Sequence, residues 1–386
     1  MNIVVLGTSS LNKGAELMLY AILQEVERRF PDAIVYLQDD RYKEGLSYIY
    51  TSLKLRPIQK NINRIRLEIL ANKLRLSSIL KRIGIWRQLF VRCVPNTDYV
   101  FDASGLLFTD QLKAQWAQNR KEEYCYLFES YRKCGAKVVL LPQLFGPFET
   151  EASKQQVRKL VSVVDVAMAR EGTSFRHLTE ATSGAKNIVK FTDFTSLVSG
   201  KFPEKYSHLK GAVCVIPNMQ MVNKGVLSMD GYVHLLEIIT ETIINSNRNV
   251  YLLNHEGDKD EECAYKIRER LSKKIEVVTG LNAIEVKGMI ASSYMCISSR
   301  FHGVASALNS AVPCLATSWS HKYSELFKDY GMEDCVLQIA DESAVLQKVS
   351  EFLSEDNNLS IRKHLLSQQT MIQSESKCMW EYIWKL

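Results

Sequence analysis

Short apolar runs alternate with longer amphipathic stretches along most of the chain. The apolar runs have the length of β-strands and lie at residues 2–7, 33–38, 98–101, 137–141, 163–169, 211–217, 249–254, 275–278, 294–297 and 312–317. Many of the stretches between them repeat apolar residues with the period of an α-helix. Apolar strands that alternate with helices are typical of parallel sheets covered on both faces. The pattern therefore predicts an α/β protein.

A polar, loop-like stretch at residues 200–210 separates two such series of strands and helices. A chain of 386 residues is also too long for one ordinary hydrophobic core. We therefore predict two Rossmann-like domains that face a cleft, spanning residues 1–203 and 204–386. We expect the last helices of the chain to pack back on the first domain.

The composition indicates a soluble globular protein, because 46% of the residues are hydrophobic and 24% are charged. No window approaches the ~18 consecutive apolar residues of a transmembrane helix. Residues 1–7 lack the basic region and the cleavage site of a signal peptide. The nine cysteines are scattered without CxxC pairs, which favours reduced thiols over a disulfide framework or a zinc site. These features predict a cytoplasmic location.

The net charge of +6 is unevenly distributed. Residues 54–92 contain eleven lysines and arginines, and Glu68 is the single acidic residue among them. Apolar residues, including Trp86, are interleaved with the charges, which predicts basic amphipathic helices that contact anionic lipid headgroups. The alternative is a solvated basic helix pair packed on its own domain. We expect no nucleic acid partner, since no recognised nucleic-acid-binding motif accompanies the charge.

Basic residues follow two neighbouring strands near the C-terminus. Arg300 and His302 come directly after the strand at 294–297, and His321 and Lys322 follow the strand at 312–317. Ligands bind open parallel sheets at the carboxyl ends of the strands. Guanidinium, ammonium and imidazole groups at this edge predict a site for a small, highly charged anion. Taken singly, each of these residues could instead be structural or simply solvated.

Small and polar residues also follow the strands of the first half. The further candidates for substrate binding are Asn12, Gly14, Glu16, Ser104, Gly105, Gln143 and Arg170. The loop at 7–14 precedes a helix whose first amides could receive a phosphate or a carboxylate. It matches neither the Walker loop nor the GxGxxG fingerprint. For Arg170 the structural alternative is an ion pair with Glu171 or Asp193.

Four motifs together resemble the polysaccharide pyruvyl transferase family. They are residues 7–16 (GTSSLNKGAE), 142–147 (PQLFGP), 170–174 (REGTS) and 299–303 (SRFHG), the last followed by His321 and Lys322. They span most of the chain in the expected order, and the Arg-x-His motif with its downstream lysine is the most specific. Two positions depart from the family pattern: the acidic residue of the first motif is shifted by one position to Glu16, and Leu144-Phe145 replaces a polar residue.

The resemblance implies a GT-B-like fold and a transferase that uses phosphoenolpyruvate. Such an enzyme moves the enolpyruvyl carbon skeleton onto two hydroxyls of a sugar and forms a cyclic pyruvate ketal. By this resemblance Arg170, Arg300, His302 and Lys322 hold phosphoenolpyruvate and supply proton transfer, with His302 as the best acid–base candidate. The cations carry the charge of the donor, so neither a cofactor nor a metal ion is expected.

The resemblance also assigns a role to each domain. The second domain would hold phosphoenolpyruvate, and the first would hold the saccharide acceptor. Asp102 and Glu16 would be either bases for the acceptor hydroxyls or helix-capping groups. If the basic segment meets a membrane, the acceptor is expected to be a lipid-linked precursor of an exopolysaccharide, modified at the cytoplasmic face.

Two other functions stay open at this level. A GT-B glycosyltransferase that uses a nucleotide sugar would need a carboxylate in the second domain for the ribose, and Glu325 is the candidate. A non-catalytic, membrane-associated binding protein of a polysaccharide assembly complex is the other alternative. The concentration of arginine, histidine and lysine at strand ends argues against it, since a scaffold does not need that convergence.

Overall fold

Two parallel β-sheets, connected by α-helices, build the protein in a computed structural model of the chain. The structure describes residues 1–9, 12–38, 51–58, 73, 93–112, 115–318 and 322–386. Most of the basic segment 54–92 and the predicted site residue His321 therefore lie outside the described residues. The chain divides into two compact units, and the boundaries interleave along the sequence.

The first unit comprises Met1–Ser10, Met18–Phe194 and Ser376–Leu386. Its strands are β1 (Asn2–Leu6), β2 (Ile34–Leu37), β3 (Lys54–Pro57), β4 (Tyr99–Asp102), β5 (Lys137–Gln143), β6 (Val166–Ala169) and β7 (Ile188–Lys190). Its helices are α1 (Lys13–Arg29), which begins in the other unit, α2 (Gln115–Lys133), α3 (Glu151–Ser162) and α4 (Gly172–Thr182). Within the described residues the sheet order is β3-β2-β1-β4-β5-β6-β7, and every pairing is parallel.

The second unit comprises Leu11–Leu17 and Thr195–Glu375. Its strands are β8 (Val213–Ile216), β9 (Val250–Leu253), β10 (Glu276–Val278), β11 (Cys296–Ser298) and β12 (Cys314–Ala316). Its helices are α5 (Gln220–Asn223), α6 (Met229–Asn245), α7 (Gly257–Arg270), α8 (Ala283–Ala291), α9 (Phe301–Asn309), α10 (Lys322–Asp329), α11 (Glu342–Leu353) and α12 (Glu355–Ile383), which ends in the first unit. The sheet order among these residues is β10-β9-β8-β11-β12, again parallel throughout. Short 3₁₀ helices lie at Phe194–Leu197, Glu204–Leu209 and Glu333–Cys335.

The two parallel sheets confirm the predicted α/β class with two Rossmann-like units. In each sheet the chain first moves outward on one side of the starting strand and then reverses to the other side, which is the doubly wound topology. Residues 11–17, which the sequence analysis had placed with the first half, group with the second unit. Residues 376–386 group with the first unit.

One local prediction is wrong: residues 54–57 begin the segment predicted as basic amphipathic helices, but they form strand β3. Lys54 pairs with Ile34 at the edge of the first sheet, and its side chain is exposed, as is that of Arg56. Pro57 ends the strand, a position where its missing amide hydrogen costs little. Charged side chains on an edge strand protect the edge from pairing with another chain. The sheet edge, rather than the local periodicity, determines this structure.

Aromatic packing joins the last residues of the chain to the first unit. The Trp384 ring lies 5.1 Å from the rings of both Phe30 and Tyr99, and its indole nitrogen donates to the Glu25 carboxylate at 2.9 Å. Trp380 is buried and packs edge-on against Phe101 at 5.9 Å. Buried aromatic pairs add to the stabilisation from their apolar area. The end of α12 and the turn that follows it therefore pack against the first unit.

Small residues let helix α9 lie directly on the second sheet. A Cβ atom on Gly303 would lie 2.4 Å from the Ser298 hydroxyl, so only glycine fits this first turn. Cys214, Cys296 and Cys314 are buried at one register of three adjacent strands, where their small side chains leave room for the helix. The close approach places residues 300–302 at the carboxyl edge of the sheet.

Candidate functional site

A buried hydrogen-bond network fixes the backbone that leads to Arg300. The Ser299 carbonyl accepts from the Asn218 amide at 2.6 Å and from the Tyr323 hydroxyl at 2.7 Å. The Ser299 hydroxyl bonds to the Tyr232 hydroxyl at 2.6 Å and also to that of Thr317. These partners come from the ends of β8 and β12 and from helices α6 and α10. The end of β11 is thus a rigid point of attachment for the side chains that follow.

The Arg300 guanidinium is bound by two carboxylates that the sequence analysis did not identify. Its Nε atom donates to Asp260 at 2.8 Å, its Nη2 atom donates to the same oxygen, and its Nη1 atom donates to Glu256 at 2.7 Å. Glu256 follows β9, and Asp260 lies in the first turn of α7. The predicted cationic edge therefore carries its own negative charges.

Burial raises the pKa values of both carboxyl groups above their usual range, and the charge of Arg300 opposes this shift only in part. Asp260 is further held by the Met219 amide, which donates to its second oxygen at 2.9 Å. An ionised group away from water needs such compensation, because desolvation disfavours its charged form. The positive charge of the Arg300 guanidinium compensates the negative charges of the two neighbouring carboxylates.

The N-terminal motif lies in the same unit and contacts this cluster. The Asn12 side chain accepts from the Ala15 amide at 2.9 Å and so caps helix α1. Its amide group donates to Glu256 at 3.0 Å. Lys13 forms an ion pair with Glu16 at 2.9 Å, and the Glu16 side chain is largely buried. The predicted site residues Asn12 and Glu16 therefore lie in the same unit as Arg300, with Asn12 one hydrogen bond from the Arg300 cluster.

Gly14 is the point of contact between helix α1 and His302. A Cβ atom on Gly14 would lie 2.1 Å from the Nδ1 atom of His302, so the imidazole occupies the space of the missing side chain. The His302 ring also meets the Phe301 ring edge-on, with 5.2 Å between ring centroids. The position of the His302 imidazole is thus restricted by Gly14, which is distant in sequence, and by the neighbouring Phe301.

A further histidine, missed by the sequence analysis, belongs to the cluster. His255 follows β9 and is only 4% exposed, and its Nδ1 atom has no hydrogen-bond partner among the described residues. Its pKa is held well below the usual value by burial, and then by the charges of Arg300, His302 and Lys13. Its position directly after an apolar strand was the signal that could have identified it.

In the first unit, polar side chains gather at the ends of β4 and β5. The Asp102 carboxyl group is fully buried and accepts from the Ser104 hydroxyl at 2.6 Å and from the Gln143 amide at 2.9 Å. Burial raises the pKa of Asp102 to about 6, although both hydrogen bonds oppose the shift. Gly105 has a φ of +67°, a left-handed conformation that glycine adopts without strain. The predicted residues Ser104, Gly105 and Gln143 are thus close neighbours.

Arg170 follows β6, and its backbone amide donates to the Gln143 carbonyl at 3.1 Å. Its guanidinium lies 3.7 Å from Asp193 and 3.9 Å from Glu171, so the ion pairing considered as an alternative is present. Of Lys322 only the backbone is described, as the first residue of α10.

The structure thus brings the predicted residues together in two groups, one in each unit. The second unit holds Arg300, His302, Asn12, Gly14 and Glu16, and the first unit holds Ser104, Gly105, Gln143 and Arg170. Within the described part of the chain, no cluster of three or more histidine, cysteine, aspartate or glutamate side chains could hold a metal ion. No helix among the same residues is long and apolar enough to cross a membrane.

The raised pKa of Asp102 predicts a pH-dependent difference in stability. A carboxyl group whose pKa rises from 3.8 to about 6 on folding stabilises the protein fully below pH 3.8, and this contribution is lost as the pH rises through 6. The free energy of unfolding of the wild type, relative to Asp102→Asn, should therefore fall by about 2 kcal/mol between pH 4 and pH 7. Urea unfolding at a series of pH values measures this difference.

A second variant provides the control for this experiment. Ser104→Ala removes a hydrogen bond that lowers the pKa of Asp102, so the same transition should move to higher pH. If the free energies of unfolding of the wild type and Asp102→Asn changed with pH in parallel, the raised pKa of Asp102 would be contradicted.

The contact between Gly14 and His302 predicts that Gly14→Ala forces the imidazole to move. Alanine normally favours a helix, but overpacking at this contact should lower the free energy of unfolding by about 1–3 kcal/mol. Gly172→Ala is the matched control, because Gly172 also begins a helix and a Cβ atom there meets nothing within 4 Å. In a His302→Ala background the cost of Gly14→Ala should disappear, and an unchanged cost would contradict the contact.

Comparisons with solved structures show the fold. A UDP-GlcNAc 2-epimerase from Neisseria meningitidis, solved with bound UDP-GlcNAc, has a TM-score of 0.61 and 9% identity, with 100% of both chains covered. The Anabaena protein HepE, in complex with UDP and glucose, has a TM-score of 0.60 and 11% identity, also with 100% of both chains covered. A glycosyltransferase from Rickettsia africae has a TM-score of 0.56 and 12% identity, with 100% of this chain and 98% of that chain covered. These likenesses confirm the GT-B-like fold.

No curated protein sequence matches the chain. The family model for polysaccharide pyruvyl transferase matches residues 12–321, a range that includes Asn12, the Arg170 motif, the Arg300–His302 motif and His321. The match covers most of the chain and confirms the resemblance predicted from the motifs. The chain therefore belongs to the polysaccharide pyruvyl transferase family.

Proposed function

We propose that this protein transfers pyruvate from phosphoenolpyruvate to two hydroxyls of a sugar and so forms a cyclic ketal. The observation that supports the proposal most is that Arg300 and His302, which follow β11, meet the residues on either side of Lys13. Asn12 shares the Glu256 carboxylate with Arg300, and Gly14 packs against the His302 ring. Phosphoenolpyruvate presents a carboxylate and a phosphate, and guanidinium, ammonium and imidazole groups are the donors that recognise such oxygens. Family membership supports a transferase of this kind.

The proposed reaction balances without a cofactor. The oxygen of the first sugar hydroxyl bonds to C2 of phosphoenolpyruvate while a proton is added to the C3 methylene, which becomes a methyl group. The bond between C2 and the phosphate oxygen then breaks, and the second hydroxyl oxygen bonds to C2. Of the two hydroxyl protons, one balances the proton gained at C3 and the other leaves with phosphate.

We assign the steps of this reaction to residues of the second unit. Arg300 binds the donor anion, and Lys322 neutralises the phosphate as it leaves. His302 is the general acid that delivers the proton to C3, a role worth about 10²–10⁴ in rate. The imidazole is suited to this role because Gly14 and Phe301 restrict its position. We also assign Asn12, Gly14, Glu16 and His321 to the substrate side of this site.

The acceptor is assigned to the polar groups of the first unit. Ser104 and Gln143 are oriented by the buried Asp102, and Gly105 keeps the adjoining backbone open. Hydroxyl, amide and carboxyl groups of this type suit the hydroxyls of a saccharide. Arg170, whose backbone amide donates to the Gln143 carbonyl, adds a guanidinium for an anionic group of a substrate.

Phosphoenolpyruvate binding tests the donor assignment. Calorimetry should show binding to the wild type and to Arg270→Ala, an exposed arginine of the same unit, and no binding to Arg300→Ala. His302→Ala should still bind phosphoenolpyruvate, since Arg300 is retained, and should lose at least about a hundredfold in turnover, because the proton donor is removed.

Arg300→Lys keeps a positive charge beside Glu256 and Asp260. It provides a second test of donor binding if Arg300→Ala does not fold. Wild-type turnover by folded His302→Ala would overturn the acid assignment. Binding of a nucleotide sugar, with none of phosphoenolpyruvate, would identify the protein as a glycosyltransferase instead.

We further propose that the acceptor is a lipid-linked saccharide at the cytoplasmic face of a membrane. The support is the basic, apolar-interleaved composition of residues 54–92, with Lys54 and Arg56 exposed on β3. The full-length protein should sediment with phosphatidylserine vesicles at low salt, and high salt or uncharged vesicles should release it. Replacement of Lys81, Arg82 and Arg87 by glutamine should weaken this binding. A protein that ignores anionic vesicles at low salt would contradict the membrane proposal alone.

A further inference from the structure

The two carboxylates on Arg300 differ in how firmly they are held, and this difference has a functional consequence. We propose that the Glu256 carboxylate, which accepts from Nη1 of Arg300, competes with the donor for this nitrogen and is displaced by an anionic oxygen of the donor. Asp260 is the positioning residue that holds the guanidinium in both states. The proposal rests on phosphoenolpyruvate as the donor.

Asp260 has no freedom to leave the guanidinium. Its side chain is only 2% exposed, and both of its oxygens are engaged. One oxygen accepts from the Met219 amide at 2.9 Å, and the other accepts from Nε of Arg300 at 2.8 Å and from Nη2. Separating these charges would leave a carboxylate buried without compensation, which is strongly unfavourable. Asp260 therefore fixes the plane of the guanidinium and the direction of Nη1.

Glu256 is more exposed than Asp260, and each of its oxygens has one hydrogen-bond partner among the described residues. Its side chain is 22% exposed, and its oxygens accept from Nη1 of Arg300 at 2.7 Å and from the Asn12 amide at 3.0 Å. It precedes α7 as the N-terminal cap residue, yet its side chain forms no capping hydrogen bond, so the helix does not need it. A glutamate at the surface of the site can exchange its partners for water at far lower cost than Asp260.

The contact between Glu256 and Nη1 has the geometry of ligand recognition. A charge-assisted N–H···O bond of 2.7 Å is what a carboxylate or phosphate of the donor would form with the same nitrogen. Nη1 carries two hydrogens, but a second anion beside Glu256 would be repelled by its charge, and displacement of Glu256 relieves this repulsion. An internal competitor lowers the apparent affinity by the fraction of molecules in which it occupies the site.

The competition predicts opposite effects for two neighbouring acidic residues. Glu256→Gln removes the charge but keeps the size and an oxygen for Asn12, so phosphoenolpyruvate should bind at least about fivefold more tightly and its KM should fall. Asp260→Asn removes the fixed partner of Nε, so binding should weaken at least about tenfold and KM should rise. Glu262→Gln is the matched control, because Glu262 lies on the same helix, is exposed, and forms an ion pair with Lys266 at 2.8 Å.

Calorimetric titration of phosphoenolpyruvate into the wild type and each variant distinguishes the outcomes. Asp260→Glu, which retains the charge, should restore part of the affinity lost in Asp260→Asn. If the wild type binds phosphoenolpyruvate and Glu256→Gln binds it equally or less tightly, the competition is overturned while the proposed donor stands. If the wild type binds no phosphoenolpyruvate, the proposed function itself fails.

Discussion

Parallel pairing of the strands is the constraint on which the chemistry of this protein depends. Each parallel strand must be connected to the next by a crossover, so the carboxyl ends of all strands meet at one edge of the sheet. In the first unit this edge carries Asp102, Gln143 and Arg170, and in the second it carries His255 and Arg300. Polar groups placed there need no disruption of the core, since the strands behind them are buried and apolar.

Charge compensation is the second feature common to both edges. Arg300 is paired with Asp260 and Glu256, and Arg170 lies near Asp193. Partly buried guanidinium groups need such partners, because their desolvation is otherwise uncompensated. The arginines of the candidate site are therefore already paired with carboxylates of the protein. A ligand must bring enough interaction to replace contacts that the protein already makes.

Close backbone approach completes the geometry of the second unit. Gly14 allows helix α1 to meet the His302 ring, and Gly303 allows helix α9 to lie against Ser298. At either glycine, the side chain of a larger residue would occupy the space that the contact needs. A buried hydrogen-bond network around Ser299, with partners from helices α6 and α10, then holds the end of β11. The side chains that carry the proposed chemistry project from backbone that has little freedom to move.

The sequence by itself determined the fold class, the family motifs and the strand-end positions of Arg300 and His302. It could do so because alternation of apolar runs and helices follows from local periodicity, and because strand ends can be located from those runs. Only the tertiary structure decided what surrounds these residues. Asp260 and Glu256 lie 40 and 44 residues from Arg300 in sequence, and they meet it because β9, β8 and β11 are neighbours in the sheet. In the sequence they are indistinguishable from solvated acidic residues of a helix terminus. Strand β3 escaped prediction for a related reason, since an edge strand is stabilised by its partner strand and not by a periodic pattern of its own.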